Sequence, residues 1–256
     1  MAATTDLELA LDAYRRQDYA TALPLFLALA EAGEPAAQYH LGLMYRHGRG
    51  VKQSDADAVA WYRKAAEQGR PTAQFALGLM YRHGRSVPQD FAKAAKWFEK
   101  AAAQGRPPAQ AALGLLYRHG RGVPQSNDEA AKWYRKAADQ GSATGQFALG
   151  LLYRHGRGVP RDLEVAAKWM LKAADQGYIA AMGYLGLMHH QGQGVPQNNV
   201  EAYKWSTLAS RTESKAGDLA RRTCEMLAKA MTAPEINAAH KLVHDWIPKS
   251  PVEDEL

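Results

Sequence analysis

Ala109–Gly141 reads AQAALGLLYRHGRGVPQSNDEAAKWYRKAADQG, and its pieces recur along the chain at a single spacing. Leu-Gly stands at 41–42, 77–78, 113–114, 149–150 and 185–186, and tryptophan at 61, 97, 133, 169 and 205; every step is 36 residues. Two independent markers that share one period without slippage identify a chain assembled from copies of one supersecondary unit. Five copies span 34–69, 70–105, 106–141, 142–177 and 178–213.

Each copy reads as two helices joined by a short glycine-containing loop. In the second copy the first helix (helix A) is expected over Pro71–His83. Proline suits the first helical turn, where its missing N–H is not needed, and Gly84 supplies a left-handed C-cap position. The second helix (helix B) starts after Ser54, Asp90, Ser126, Asp162 or Asn198, all residue types whose side chains accept from free first-turn N–H groups. Asp57, Glu129 and Glu201 add an acid at N3. Ala73, Leu77 and Met80 form an apolar stripe on helix A, and Ala94, Trp97 and Ala101 the matching stripe on helix B, which places Trp133 in the interior of the array. The glycine after each of these leucines costs up to ~1 kcal/mol inside a helix, so its recurrence points to a close helix-to-helix approach. One helix pair cannot bury both faces, whereas stacked pairs share a continuous core. The expected fold is all-α: a right-handed α/α superhelix, or solenoid.

The pattern AxxxLGxxYxxGxGVPxxxxxAxxWYxKAAxxG, carried by five copies or about 180 of 256 residues, resembles the Sel1-like repeat, a relative of the tetratricopeptide repeat. The resemblance implies an α/α superhelix and an adaptor role, in bacterial signalling, secretion or envelope complexes or in eukaryotic ER quality control. Some cysteine-rich members carry a disulfide in each repeat. A chain whose one cysteine is Cys224 resembles the disulfide-free branch.

Residues 1–33 read as a degenerate N-terminal capping repeat, with helices over 7–16 and 18–32. Residues 214–248 read as C-terminal capping helices. There Leu219, Cys224, Leu227 and Ala230 recur at helical spacing, and a Thr232/Glu235 capping box precedes Ile236, Ala239, Val243 and Trp246. Residues 249–256 read as an acidic disordered tail. The net charge is +6, from 32 Lys+Arg and 26 Asp+Glu. Mean hydropathy is −0.43, and no apolar run approaches the ~20 residues of a membrane span, so membrane insertion is not expected. Ala22–Ala30 after Arg15-Arg16 has the look of a secretory leader, but it falls in register with the repeat, and Glu8, Asp12 and Asp18 do not suit a basic leader. The expected location is therefore the cytoplasm, a reducing compartment consistent with a single cysteine.

The chain holds no HExxH, P-loop, GxGxxG or GxSxG motif. No catalytic residue, cofactor or metal site is expected. His47, His83, His119 and His155 recur every 36 residues. Equivalent atoms of stacked repeats stand ~8–10 Å apart, too far to share a metal that holds nitrogen at ~2.0–2.1 Å.

Positions 39, 43, 46 and 47 share one face of helix A. In tetratricopeptide-like packing the corresponding positions line a concave groove. The resemblance carries that role to Tyr39, His40, Arg46 and His47, to Phe75, Arg82 and His83, to Arg118 and His119, to Phe147, Arg154 and His155, and to Tyr184. Arg49, Arg85, Arg121 and Arg157 follow in the loops. Two compatible readings of the arginines stay open. Cations can complement a helix C-terminus at ~0.3–1 kcal/mol each, satisfy loop carbonyls or pair with acids of the next copy. Alternatively, they form a basic, aromatic-flanked strip whose guanidinium forks receive an acidic or extended peptide. The expected function is a non-enzymatic interaction scaffold or adaptor for a protein or peptide partner, acidic under the second reading. A bacterial secretion-system immunity or regulatory protein using the same surface is the alternative; a nucleic-acid binder and an envelope hydrolase rank below both. A monomer or weak dimer is expected.

Overall fold

The computed structural model describes residues 2–249, which form fourteen α-helices and no strand. They are α1 (Ala2–Arg15), α2 (Tyr19–Glu31), α3 (Pro35–His47), α4 (Asp55–Glu67), α5 (Pro71–His83), α6 (Phe91–Ala103), α7 (Pro107–His119), α8 (Asn127–Asp139), α9 (Ala143–His155), α10 (Leu163–Asp175), α11 (Ile179–Gln191), α12 (Asn199–Ser210), α13 (Lys215–Ala230) and α14 (Ala233–His244). The chain divides into two compact bodies, Met1–Gln125 and Ser126–Leu256.

In the N-terminal body each helix packs on the next along the chain: α1 on α2, α2 on α3, and so on through α6 and α7. Local chemistry sets the helix ends. Ser54 Oγ accepts from Asp57 N at 3.2 Å and Asp90 Oδ1 from Lys93 N at 2.8 Å, each satisfying a first-turn donor. Gly84, at φ 66, closes α5 in the left-handed conformation. The carbonyls of the last helix-A turn are then met by a loop glutamine. Nε2 of Gln53, Gln89 and Gln125 donates to the carbonyls of Arg46, Arg82 and Arg118 at 2.9, 2.9 and 3.1 Å.

The glycine after leucine has the role that its recurrence suggested. A Cβ on Gly78 would stand 2.6 Å from the ring of Phe98, so α5 and α6 approach closely because no side chain intervenes. The large residue that fills this space corrects the sequence expectation. Phe98 is fully buried with Ala94 and Ala101, whereas Trp97 is half-buried. The inner face of α6 is Ala94, Ala95, Phe98, Ala101 and Ala102, and Trp97 lies at its edge, beneath Lys100 Nζ at 4.5 Å from the ring centroid. Trp133 is likewise half-buried under Lys136, at 4.2 Å, so it is not an interior residue.

A series of buried glutamines adds a second bond between repeats. Gln74 is 4% exposed; its Nε2 donates to the Ala66 carbonyl at 3.1 Å and its Oε1 accepts from Gln104 Nε2 at 2.9 Å. One side chain of α5 thus ties the end of α4 to the C-cap of α6. Gln38 makes the same pair of bonds to Ala30 and Gln68.

The C-terminal body repeats these devices. Ser126, Asp162 and Asn198 cap α8, α10 and α12, and Gln146 bonds Ala138 and Gln176. Here Trp205 is buried and meets Trp246 edge-on at 6.4 Å. The Thr232/Glu235 capping box is formed at the start of α14. On α13, Ala220 and Leu227 are buried, but Leu219, expected on the apolar stripe, is 56% exposed. Cys224 is half-buried against Thr207, and burial pushes its thiol pKa up. The acidic tail expected over 249–256 lies, from residue 250 onward, outside the described residues.

Candidate partner-binding surface

In the N-terminal body the face in question is carried by α3, α5 and α7. On α3, Tyr39 and His40 are half-buried. The Tyr39 ring lies 5.4 Å from the His40 ring and 5.8 Å from that of Tyr62. His40 stacks on Phe26 at 5.1 Å, and burial, followed by the charges of Arg70 and Arg15, lowers its pKa to about 4. On α5, Phe75 is 6% exposed and packs against Phe98 at 5.6 Å, so its ring belongs to the core more than to the open face.

Two arginines that the sequence reading did not single out sit over these rings. Arg70 and Arg106 occupy the N-cap positions of α5 and α7, where neither side chain caps its helix. Arg70 Cζ lies 5.7 Å from the Tyr39 centroid and Arg106 Cζ 5.3 Å from that of Phe75. The signal was a constant offset of 31 residues from the aromatic position, a contact between repeats that helical periodicity does not display.

In the N-terminal body the loop residues Arg49 and Arg121 differ in their contacts from Arg46 and Arg118 of helix A. Two loop residues join neighbouring repeats: Arg49 Nη1 donates to the Tyr14 hydroxyl at 2.6 Å, and Arg121 lies over Phe91 at 5.5 Å. The helix-A residues Arg46 and Arg118 are half-buried and form no ion pair among the described residues. Arg82 is also half-buried, in the equivalent position. His47, His83 and His119 are exposed; burial first, then adjacent arginines, lower their pKa values. The face therefore carries its positive charge on arginine at neutral pH.

In the C-terminal body, Phe147 and Tyr184 come together at 5.5 Å, and Tyr178 covers Phe147 at 5.1 Å. Arg154 lies 5.0 Å from the Tyr184 centroid, with Gln193 Oε1 3.5 Å from its Nη2. His155 is exposed. Among the described residues no three His, Cys, Asp or Glu side chains gather as a metal site would need. No helix among them is long and apolar enough to cross a membrane.

The Sel1 repeat matches the chain five times, at 35–69, 71–105, 107–142, 143–178 and 179–211. The chain belongs to the Sel1 repeat family. Its fold is the all-α repeat solenoid of that family, whose repeats mediate protein–protein interaction. The structure of c5321, a protective antigen of uropathogenic Escherichia coli with an SLR fold, superposes at a TM-score of 0.88 with 34% identity, over 96% of this chain and 53% of that one. This chain thus spans about half the length of the E. coli protein. A Sel1 repeat protein of Oxalobacter formigenes superposes at 0.81 with 28% identity, over 93% of this chain and 96% of the other. No curated protein matches the chain.

Proposed function

We propose that this Sel1 repeat protein is a non-enzymatic scaffold that binds a protein or peptide partner along the helix-A face, with acidic groups on the partner, in the reducing cytoplasm. The observation that carries this reading is the state of Arg46 and Arg118. The carbonyls that a structural arginine would satisfy are taken by Gln53 and Gln125, and among the described residues no acid pairs with either side chain. Half-buried cations with no acid paired to them among the described residues favour an anionic group from outside, where a guanidinium fork binds a carboxylate with two parallel hydrogen bonds.

The test is affinity capture with the wild type, with Arg46→Glu/Arg82→Glu/Arg118→Glu, and with Lys64→Glu/Lys100→Glu on helix B, each first shown folded by circular dichroism. A partner lost only with the arginine variant supports the reading. A partner list identical for wild type and arginine variant would refute it.

A further inference from the structure

At one fully buried ring position the first repeat carries a polar atom that the second lacks. Tyr62 and Phe98 hold equivalent positions; both are fully buried, and each ring lies over the glycine of the preceding helix. Phenylalanine fills this space without a hydroxyl, so packing does not call for one. Yet the Tyr62 hydroxyl is buried with no hydrogen bond of good geometry among the described residues, which is destabilising. The Arg46 guanidinium stands beside it without a bond of proper geometry.

The groups around Tyr62 point the same way. The rings of Tyr62 and Tyr39 lie 5.8 Å apart, and Arg70 covers Tyr39 at 5.7 Å. Arg70 Nε is also buried without a hydrogen-bond partner among the described residues. Glu34, the acid beside Arg70, is engaged in capping α3, accepting from Ala36 N at 3.2 Å. Arg70 and the Tyr62 ring thus border the Tyr39 ring, Arg46 stands beside the Tyr62 hydroxyl, and among the described residues no carboxylate is paired to either guanidinium.

We propose that Arg46 and the Tyr62 hydroxyl form a carboxylate-binding site in the first repeat, backed across Tyr39 by Arg70, that receives an acidic side chain of an extended peptide. The guanidinium fork takes the carboxylate, and the phenol donates to the same group once Arg46 turns toward the ligand. The second repeat, with Phe98, has no such donor. This site rests on the helix-A face being the partner surface, and it names one position on that face.

The probe is hexaglutamate, acetylated and amidated so that only side-chain carboxylates are present. Hexaglutamine with the same ends and a free-carboxylate hexaglutamine serve as arms. Titration is followed by the ¹⁵N–¹H resonances of the arginine Nε groups. Saturable shifts at Arg46 and Arg70 with hexaglutamate, none at Arg63, and none with capped hexaglutamine are expected. Shifts with free-carboxylate hexaglutamine alone would overturn the side-chain assignment in favour of a chain terminus. Tyr62→Phe, which the second repeat shows to be a packable substitution, should weaken hexaglutamate binding about ten-fold, the worth of a hydrogen bond to a charged group. Equal shifts at all arginines, no shift, or unchanged affinity in Tyr62→Phe would overturn the site. The two readings separate cleanly. Capture that fails with the triple arginine variant but survives Tyr62→Phe, with no hexaglutamate shift, keeps the surface and removes the site. Hexaglutamate shifts with capture indifferent to arginine reversal keep the site and remove the surface.

Discussion

A Cβ on Gly42 would stand 2.4 Å from Cε1 of Tyr62, so the phenol ring of α4 occupies the space that a side chain on α3 would need. The same relation joins Gly78 to Phe98 at 2.6 Å. Alanine is the better helix former by about 1 kcal/mol, but here overpacking of a buried ring should outweigh that gain. Gly78→Ala is expected to lower stability by about 1–3 kcal/mol. Gly183, also inside a helix, has nothing within 4 Å of its would-be Cβ; Gly183→Ala should raise stability by up to ~1 kcal/mol. Urea midpoints of both variants check the contrast, and equal effects would contradict it.

Phe98 and Trp97 should part company in the same assay. Phe98→Ala removes a fully buried ring and is expected to cost about 3–5 kcal/mol. Trp97 is half-buried under Lys100, and Trp97→Ala should cost clearly less. A larger loss for Trp97→Ala would put the tryptophan back in the core.

Ser86 adopts φ 51 where the other four loops hold Gly50, Gly122, Gly158 and Gly194 at φ 67 to 71. A left-handed backbone is unfavourable for an L side chain by about 1–2 kcal/mol, partly offset by the entropy that glycine gains in the unfolded chain. Ser86→Gly should therefore raise stability by about 0.5–1 kcal/mol. Thermal melting measures it, and a lower midpoint would show that the serine is not strained.

His40 supplies a pH dependence. Its folded pKa is about 4, against ~6.5 unfolded. Between these values the unfolded chain binds the extra proton, so stability falls as pH drops from 6.5 toward 4. The contribution is about 2–3 kcal/mol at pH 4.5. His40→Ala, the residue found at the equivalent Ala76, should lose less stability between pH 7 and pH 4.5 than the wild type. The remaining slope belongs in part to His47, His83 and His119, whose pKa values are also lowered. Identical slopes would exclude His40 as a source.

Helix ends were legible because capping is local: Ser54, Asp90 and Gly84 announce themselves within one turn of the residues they serve. The close glycine contacts were legible through recurrence. The choice of Phe98 over Trp97 was not, because adjacent large apolar residues both fit a helical stripe, and only the position of Gly78 on the facing helix selects between them. Gln38, Gln74, Gln110 and Gln146 recur as regularly as the tryptophans, yet a polar residue in a helix does not declare that it is 3–4% exposed. At the candidate site, Arg46, Arg82 and Arg118 could be read from their register, whereas the covering Arg70 and Arg106 are contacts made between repeats.

The helix-A face as docking surface is tested most directly by arginine-selective labelling with phenylglyoxal, on the protein alone and with its captured partner, read by mass spectrometry. Protection of Arg46 and Arg118 by the partner is expected, with Arg63 and Arg135 on helix B labelled as before. Protection of the helix-B arginines, with Arg46 and Arg118 still labelled, would contradict it.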